Sequence, residues 1–314
     1  MDKIPNEMLS QILEKCSEYA PSVNRTCHLN DTKLKKRTKS KQNLSIEELA
    51  ECGHLDLLKD VKKNSLSNRR LNIILTRAAK GGNIDVIRLI KNWGATDYNS
   101  AFRCAAKEGH LEAMRLLKRW GATNYEHALV DAARAGHIKA MMLLKRWGVT
   151  HYEWALSHAA NGGHVDAMRL SKKWGATNYN NALANAAEND HIEAIKLAKK
   201  WGATDYNHAL AEASKEGYIT AMTLLRKWGA KNYNWALRCA TETGHLQSMK
   251  LLKKWGATYY DLAPAAAGGY IPAMKLLKDW GATNFDFALS CAIDKNQIRS
   301  IELLKEWGAH ADDE

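Results

Sequence analysis

Several things are scarce in this chain, and each scarcity excludes a class. The six Cys, at 16, 27, 52, 104, 239 and 291, include no CxxC pair. That spacing is neither a disulfide framework nor a zinc site, and it fits a reducing, intracellular location. No apolar stretch approaches the ~20 residues that a membrane span requires. The opening Met1-Asp2-Lys3-Ile4-Pro5 lacks the apolar core of a secretory leader. Acidic residues are outnumbered: 34 Asp and Glu face 46 Lys and Arg, for a formal charge of +12. Such a surplus leaves nucleic acid or acidic proteins open as partners. Proline and phenylalanine are rare as well, at 4 and 3, against 11 Trp and 11 Tyr. An imbalance of that kind comes from repetition, which overrides the two-domain expectation that 314 residues would otherwise set.

Trp-Gly recurs at Trp93, Trp120, Trp147, Trp174, Trp201, Trp228, Trp255, Trp280 and Trp307. The intervals are 27 residues six times, then 25, then 27. A weaker unit, Leu49-Ala50-Glu51-Cys52-Gly53-His54-Leu55, precedes the series. The expected organisation is an N-terminal segment over 1–44 and a repeat array over 45–314, one degenerate cap plus nine units. Each unit reads as two short helices. In the first, Ala101, Phe102, Ala105 and Ala106 share one helical face, and small residues there let neighbouring helices approach closely. Asn99, Asn180, Asn207, Asn234, Asp261 and Asp286 share a register just ahead of that face and are expected N-caps. Gly109 and its counterparts Gly136, Gly163, Gly217 and Gly244 break the chain between helices. In the second helix Ala113, Leu116, Leu117 and Trp120 fall on one face, and Gly121 suits a left-handed C-terminal cap. Neither helix buries its apolar face alone; stacked neighbours do.

The pattern Ala-Ala-x-x-Gly-His, followed by Leu-Leu-x-x-x-Gly-Ala, resembles the ankyrin repeat. Ala105, Ala106, Gly109 and His110 carry it, with Leu116, Leu117, Gly121 and Ala122, and it recurs in nearly every unit. The ankyrin unit has about 33 residues. The shorter unit here leaves only Thr123 to His127 where that family has its projecting β-hairpin, and the family's Thr-Pro-Leu-His start is replaced by His127-Ala128-Leu129-Val130. The resemblance implies an all-α, ankyrin-like solenoid of stacked helix-turn-helix units with shortened or absent β-hairpins. It also implies a protein-binding scaffold. This trimmed form is similar to the divergent ankyrin proteins that are numerous in giant DNA viruses, which implies residence in a host cytoplasm.

The Trp before each Gly-Ala, and the Tyr98, Tyr125, Tyr152, Tyr179, Tyr206, Tyr233, Tyr260 or Phe285 five residues after it, flank the shortened turn. An aromatic present in every unit is a scaffold position, expected to pack unit against unit. Variation between units points elsewhere. The residue ahead of the first-helix Ala-Leu changes: Ser100, His127, Trp154, Asn181, His208, Trp235, Phe287. So does the pair before Gly-His, which includes Lys107, Arg134 and Lys215. By the resemblance these positions line the concave face that contacts protein partners. The candidate partner-binding residues are therefore His127, Trp154, His208, Trp235, Phe287, Arg134, Lys107 and Lys215. Trp154 and Trp235 lie three units apart, roughly 30 Å at the usual spacing of stacked helices, and exposed Trp is the residue type of an interface anchor. The alternative is that both extend the internal aromatic ladder. Cys104, Cys239 and Cys291 share a register too widely spaced for disulfides and read as small packing residues. His110, His137, His164, His191 and His245 read as local hydrogen-bonding residues, one unit apart and too far for a shared metal.

The residue two before each Trp is basic in all nine units, from Lys91 to Lys305, and the residue just before it is basic in the six from Arg119 to Lys254. A phosphate backbone can follow such a stripe, which makes nucleic-acid or polyanion binding the alternative function. A cation in the last helical turn also complements the helix dipole, and binding of a protein is preferred. No nucleophile with a partner base, no Gly-rich phosphate loop and no clustered metal ligands appear. No catalytic residue, metal, cofactor or membrane partner is expected, and the chain is expected to be a monomer.

Residues 1–44 do not repeat. Ile4, Met8, Leu9, Ile12 and Leu13 form one apolar helical face, with Pro5 near the first turn, where it is tolerated. The string Ile4-Pro5-Asn6-Glu7-Met8-Leu9, followed by Ile12-Leu13, resembles the opening of an F-box. That resemblance implies docking onto the adaptor subunit of a cullin-type ubiquitin ligase. The downstream F-box Trp is missing, and a plain capping helix is the other reading. Lys33, Lys35, Lys36, Arg37, Lys39 and Lys41 read as a solvated linker or as a nuclear-import signal.

Overall fold

The computed structural model describes residues 44–61 and 66–310. Among them the chain forms helices and no strand. The helices come in pairs. The first four pairs are α1 Ile46–Cys52 with α2 Leu55–Lys59, α3 Asn68–Gly81 with α4 Ile84–Asn92, α5 Tyr98–Lys107 with α6 Leu111–Arg119, and α7 Tyr125–Arg134 with α8 Ile138–Arg146. Next come α9 Tyr152–Asn161 with α10 Val165–Lys173, α11 Tyr179–Ala187 with α12 Ile192–Lys200, and α13 Tyr206–Lys215 with α14 Ile219–Lys227. The last are α15 Tyr233–Glu242 with α16 Leu246–Trp255, α17 Ala263–Gly268 with α18 Ile271–Asp279, and α19 Phe285–Asp294 with α20 Ile298–Glu306. The two-residue deficit of the 25-residue interval falls in α17, which is only 6 residues long.

The described residues divide into two units. One runs up to Ala132 and takes in Lys139–Val149; the other holds Ala133–Ile138 and the described residues from Thr150 onward. Within each, the pairs stack in register as a helical solenoid, with no β-hairpin among the described residues. The first helices carry the closest packing, α3 on α5 in one unit and α9 on α11, α11 on α13 and α13 on α15 in the other, while second helices meet each other less. The cause is side-chain size. First helices bury mostly alanine, such as Ala182, Ala184, Ala186 and Ala187 of α11. Second helices put larger groups inward, such as Ala113, Met114, Leu116 and Leu117 of α6.

From α4 onward each second helix ends the same way. Gly121 takes φ 100°, its N–H donates to the Lys118 carbonyl at 3.0 Å, and the Ala122 N–H donates to Leu117 at 3.1 Å. This is the paired closure of a glycine-terminated helix, sealed by contact of two buried apolar residues. It reverses the chain in four residues, which is why no hairpin is needed.

The helix starts differ from expectation. The N-caps lie two residues ahead of the expected register, at Asp97, Asn178, Asp205 and Asn232, whose side chains accept from the third helical N–H. Asn99, Asn180, Asn207, Asn234 and Asp286 are already inside the helix, and they clamp the next turn instead; Asp261 alone of the six stays outside, where its carboxylate accepts from the Ala263 N–H at 3.0 Å. The N–H groups of Thr123 and Asn124 donate to Asn99 Oδ1 at 2.8 and 3.1 Å. Those of Thr204 and Asp205 donate to Asn180, and those of Lys231 and Asn232 to Asn207. Glu153 makes the same clamp to Thr177 and Asn178, and Asn72 makes it to Thr96 and Asp97. The register thus selects a side-chain oxygen long enough to reach the following turn.

Candidate functional site

The apolar side of each first helix faces the stack, so the opposite side turns outward along i, i+3, i+4 and i+7. Every variable residue singled out above lies on or beside that outward row. His127, Trp154, Trp235 and Phe287 are exposed, as are Arg134 and Lys107, while His208 and Lys215 are half-buried. Trp154 is 54% exposed, Trp235 40% and Phe287 63%, against fully buried Phe102 in the stack. Trp154 and Trp235 therefore stand outside the internal aromatic ladder. One face of each is covered by an imidazole: His151 stacks on Trp154 with centroids 5.2 Å apart, and His208 on Trp235 at 5.7 Å and 12° between planes. Among the described residues no second ring lies against either Trp.

One member of the row escaped the sequence reading. Ile73, 46% exposed, sits 27 residues before Ser100 and so shares its register. Counting the period backwards past the first clear unit finds it. In the same unit a shallow groove runs beside it, bordered by Asn72, Thr76, Arg77, Lys80 and Ser100. The shortened pair contributes Leu262 at this register, and it is buried.

Polar residues of the row are cross-tied between neighbouring pairs. Arg103 donates to Asp131 at 2.8 Å, Arg134 donates to His158 Nδ1 at 2.6 Å, and the amides of Asn181 and Asn185 both donate to Ser157 Oγ. His208 lies 3.3 Å from Glu212. Cys104, Cys239 and Cys291 are free thiols on these helices; burial pushes all three upward, Cys239 to about 11, so they stay protonated near neutral pH.

The Gly-His register serves packing. His110 Nε2 donates to the Lys80 carbonyl of the preceding pair at 2.9 Å. A Cβ on Gly163 would stand 2.7 Å from the His191 ring, so glycine is required where that ring lies down. Burial, with His137 and His191 on either side, holds His164 below the ordinary imidazole range. Among the described residues no group of three or more His, Cys, Asp or Glu is placed to hold a metal ion. No described helix is long and apolar enough to cross a membrane.

The scaffold Trp and Tyr do pack, with partners the sequence spacing did not name. Each Tyr meets the Trp that closes its own helix pair: Tyr98 with Trp120 at 5.7 Å, Tyr179 with Trp201 at 5.6 Å, Tyr206 with Trp228 at 5.9 Å. The basic residue two before a Trp reaches over the Trp of the next pair at Lys91, Lys118, Lys172, Lys199, Arg226, Lys253 and Lys278. Lys91 lies 4.4 Å from the Trp120 centroid, Lys199 4.2 Å from Trp228, and Lys278 4.3 Å from Trp307. Half of the basic stripe is thus a row of cation–π rivets. Ile4, Pro5, Met8, Leu9, Ile12, Leu13 and the run from Lys33 to Lys41 lie outside the described residues.

A scan against protein-family models finds no match, and a search of curated proteins finds none. Among solved structures the chain is similar to the crystal structure of the human ASB11 ankyrin repeat domain, at a TM-score of 0.45 and 20% identity, over 60% of this chain and 99% of that one.

Proposed function

We propose that the chain is a protein-interaction scaffold that holds a partner protein along its first-helix row. The observation that carries this reading is the repeat itself. In the second unit Trp154, Trp235 and Phe287 are large, apolar and exposed at one register, where Asn181 and His208 are polar and Leu262 of the shortened pair is buried; Ile73 holds the same register in the first unit. A solvated scaffold gains nothing from large apolar groups there, whereas a buried Trp commonly anchors an interface.

The test is affinity capture of the partner from the native cell, followed by binding measurements. Trp154→Ala with Trp235→Ala is expected to weaken binding at least ~10-fold at unchanged helical circular dichroism. Unchanged affinity, or lost helicity, overturns the reading. Within the same proposal, residues 4–13 attach the scaffold to the adaptor of a cullin-type ubiquitin ligase, on the strength of the F-box-like string Ile4-Pro5-Asn6-Glu7-Met8-Leu9. Deleting residues 1–44 is expected to abolish ligase association and to spare partner binding. Ligase association that survives the deletion rejects the attachment.

A further inference from the structure

The two basic registers of the second helices do different things. In the second unit Lys172, Lys199, Arg226 and Lys253 lie over the Trp rings of the following pairs, at 4.8, 4.2, 4.8 and 4.5 Å. One residue further on, Lys173, Lys200, Lys227 and Lys254 are exposed. None of these four forms an ion pair among the described residues. One turn back stand Arg169, Lys196 and Lys250, also exposed. Arg169 and Lys196 reach Asp166 and Glu193 at 3.2 and 2.8 Å, but all four side chains are more than half exposed, and such pairs leave the cations largely available.

Charge is segregated between the layers. Helices α10, α12, α14 and α16 carry eleven Lys and Arg against two acids, Asp166 and Glu193, both in first turns. The other acids of these pairs, including Glu153, Glu188, Glu212 and Glu242, sit on or at the ends of first helices. Each C-terminal turn therefore presents ammonium or guanidinium groups only, repeated once per helix layer, about 10 Å apart. The track then stops: α18 and α20 place Asp279 and Glu306 in the same register. Dipole compensation alone asks for one cation per helix end; it does not ask for two or three, nor for the acids to be cleared.

We propose that this face of the second unit binds the phosphate backbone of double-helical nucleic acid without reading its sequence. A duplex carries about one charge per 1.7 Å, the kind of dense, linear anion that a row of evenly spaced cations fits. No large apolar side chain is exposed on α10, α12, α14 or α16, so nothing is available to enter a bilayer. A cation already lies over each of Trp201, Trp228, Trp255 and Trp280, where it competes with the stacking of unpaired bases. The surface uses the opposite layer from the first-helix row, and it stands or falls separately from it.

Fluorescence anisotropy of the full chain with a labelled, mixed-sequence DNA duplex tests it. Binding is expected at ~50 mM salt, falling about 100-fold by ~200 mM if four phosphates are neutralised. Lys173→Gln, Lys200→Gln, Lys227→Gln and Lys254→Gln together are expected to flatten the salt slope by about 3 to 4 at unchanged helicity. Asp279→Lys extends the track and is expected to tighten binding and steepen the slope by about 1. The proposal is overturned by no duplex binding at ~50 mM salt, by a salt slope that none of these substitutions moves, or by tighter binding to anionic phospholipid vesicles or to a single strand.

Discussion

Asp190 stands where most pairs have glycine, in a left-handed conformation at φ 54°. It is tolerated because its carboxylate does something glycine cannot. Asp190 Oδ1 accepts from the Ala221 N–H at 3.1 Å, capping a helix whose own N-cap, Tyr218, offers no side-chain bond. Asp190→Gly removes the cap but relieves the backbone, so stability is expected to change little. Asp190→Ala loses the cap and keeps the strain, and about 2 kcal/mol is expected to go; equal thermal shifts for the two variants contradict this. Ser248 and Ser300 replace an alanine common to the second helices, and their buried hydroxyls find no partner. Ser248→Ala or Ser300→Ala is expected to stabilise by about 1 kcal/mol, read as a rise in the denaturation midpoint. Glu153 shows how charge enters the scaffold. Its partial burial opposes ionisation, but bonds from the Asn178 and Thr177 N–H groups and the Thr177 hydroxyl outweigh that and hold its carboxyl below the usual glutamate range. A lowered carboxyl stabilises the fold above its unfolded value and loses that contribution as pH falls through the folded one. The stability advantage of wild type over Glu153→Gln is therefore expected at neutral pH and to shrink as pH drops below about 4. An advantage constant from neutral to acid pH excludes an ionic clamp.

At the scale of the helix pair, three small devices recur every 27 residues: a glycine-terminated second helix, a side-chain oxygen that clamps the next turn, and a cation laid over the next Trp. Two of the three act between neighbouring pairs, so each pair is expected to draw much of its stability from its neighbours. The clamp is the most specific of them. Asn207→Leu deprives Lys231 and Asn232 of their acceptor and is expected to cost about 1 kcal/mol, whereas Asn207→Asp keeps the oxygen and is expected to stay near wild type. A loss as large for Asp as for Leu means that packing of the side chain, and no hydrogen bond, sets the preference.

For the molecule as a whole, the second unit presents two chemically distinct layers. First helices show a row of exposed apolar residues set among cross-tied polar groups; second helices show a cationic track. Under the proposals made here each layer has its own ligand. The four-lysine variant is accordingly expected to bind its protein partner as wild type does, and the Trp154→Ala, Trp235→Ala variant to bind duplex with an unchanged salt slope. Loss of both activities in either variant points to a single shared surface.

Much of this was legible in residue order. The 27-residue period, the two helices, the glycine stops and the absence of a hairpin are local or periodic properties, set by propensity, helical spacing and the few residues left for the turn. The outward row was also legible, because comparing units separates what the stack needs from what it tolerates. Three matters depended on the folded neighbours. Asn99 and its counterparts looked like caps, since the same side-chain chemistry serves a cap and a clamp, and only the next pair's position tells which. The basic stripe read as one feature, yet the following Trp captures one register and leaves the other in water. Tyr98 lies five residues from Trp93 but packs on Trp120. Sequence alone determined what repeats, because repetition is a one-dimensional property; the tertiary structure decided which copy each side chain touches, because those contacts cross from one helix pair to the next.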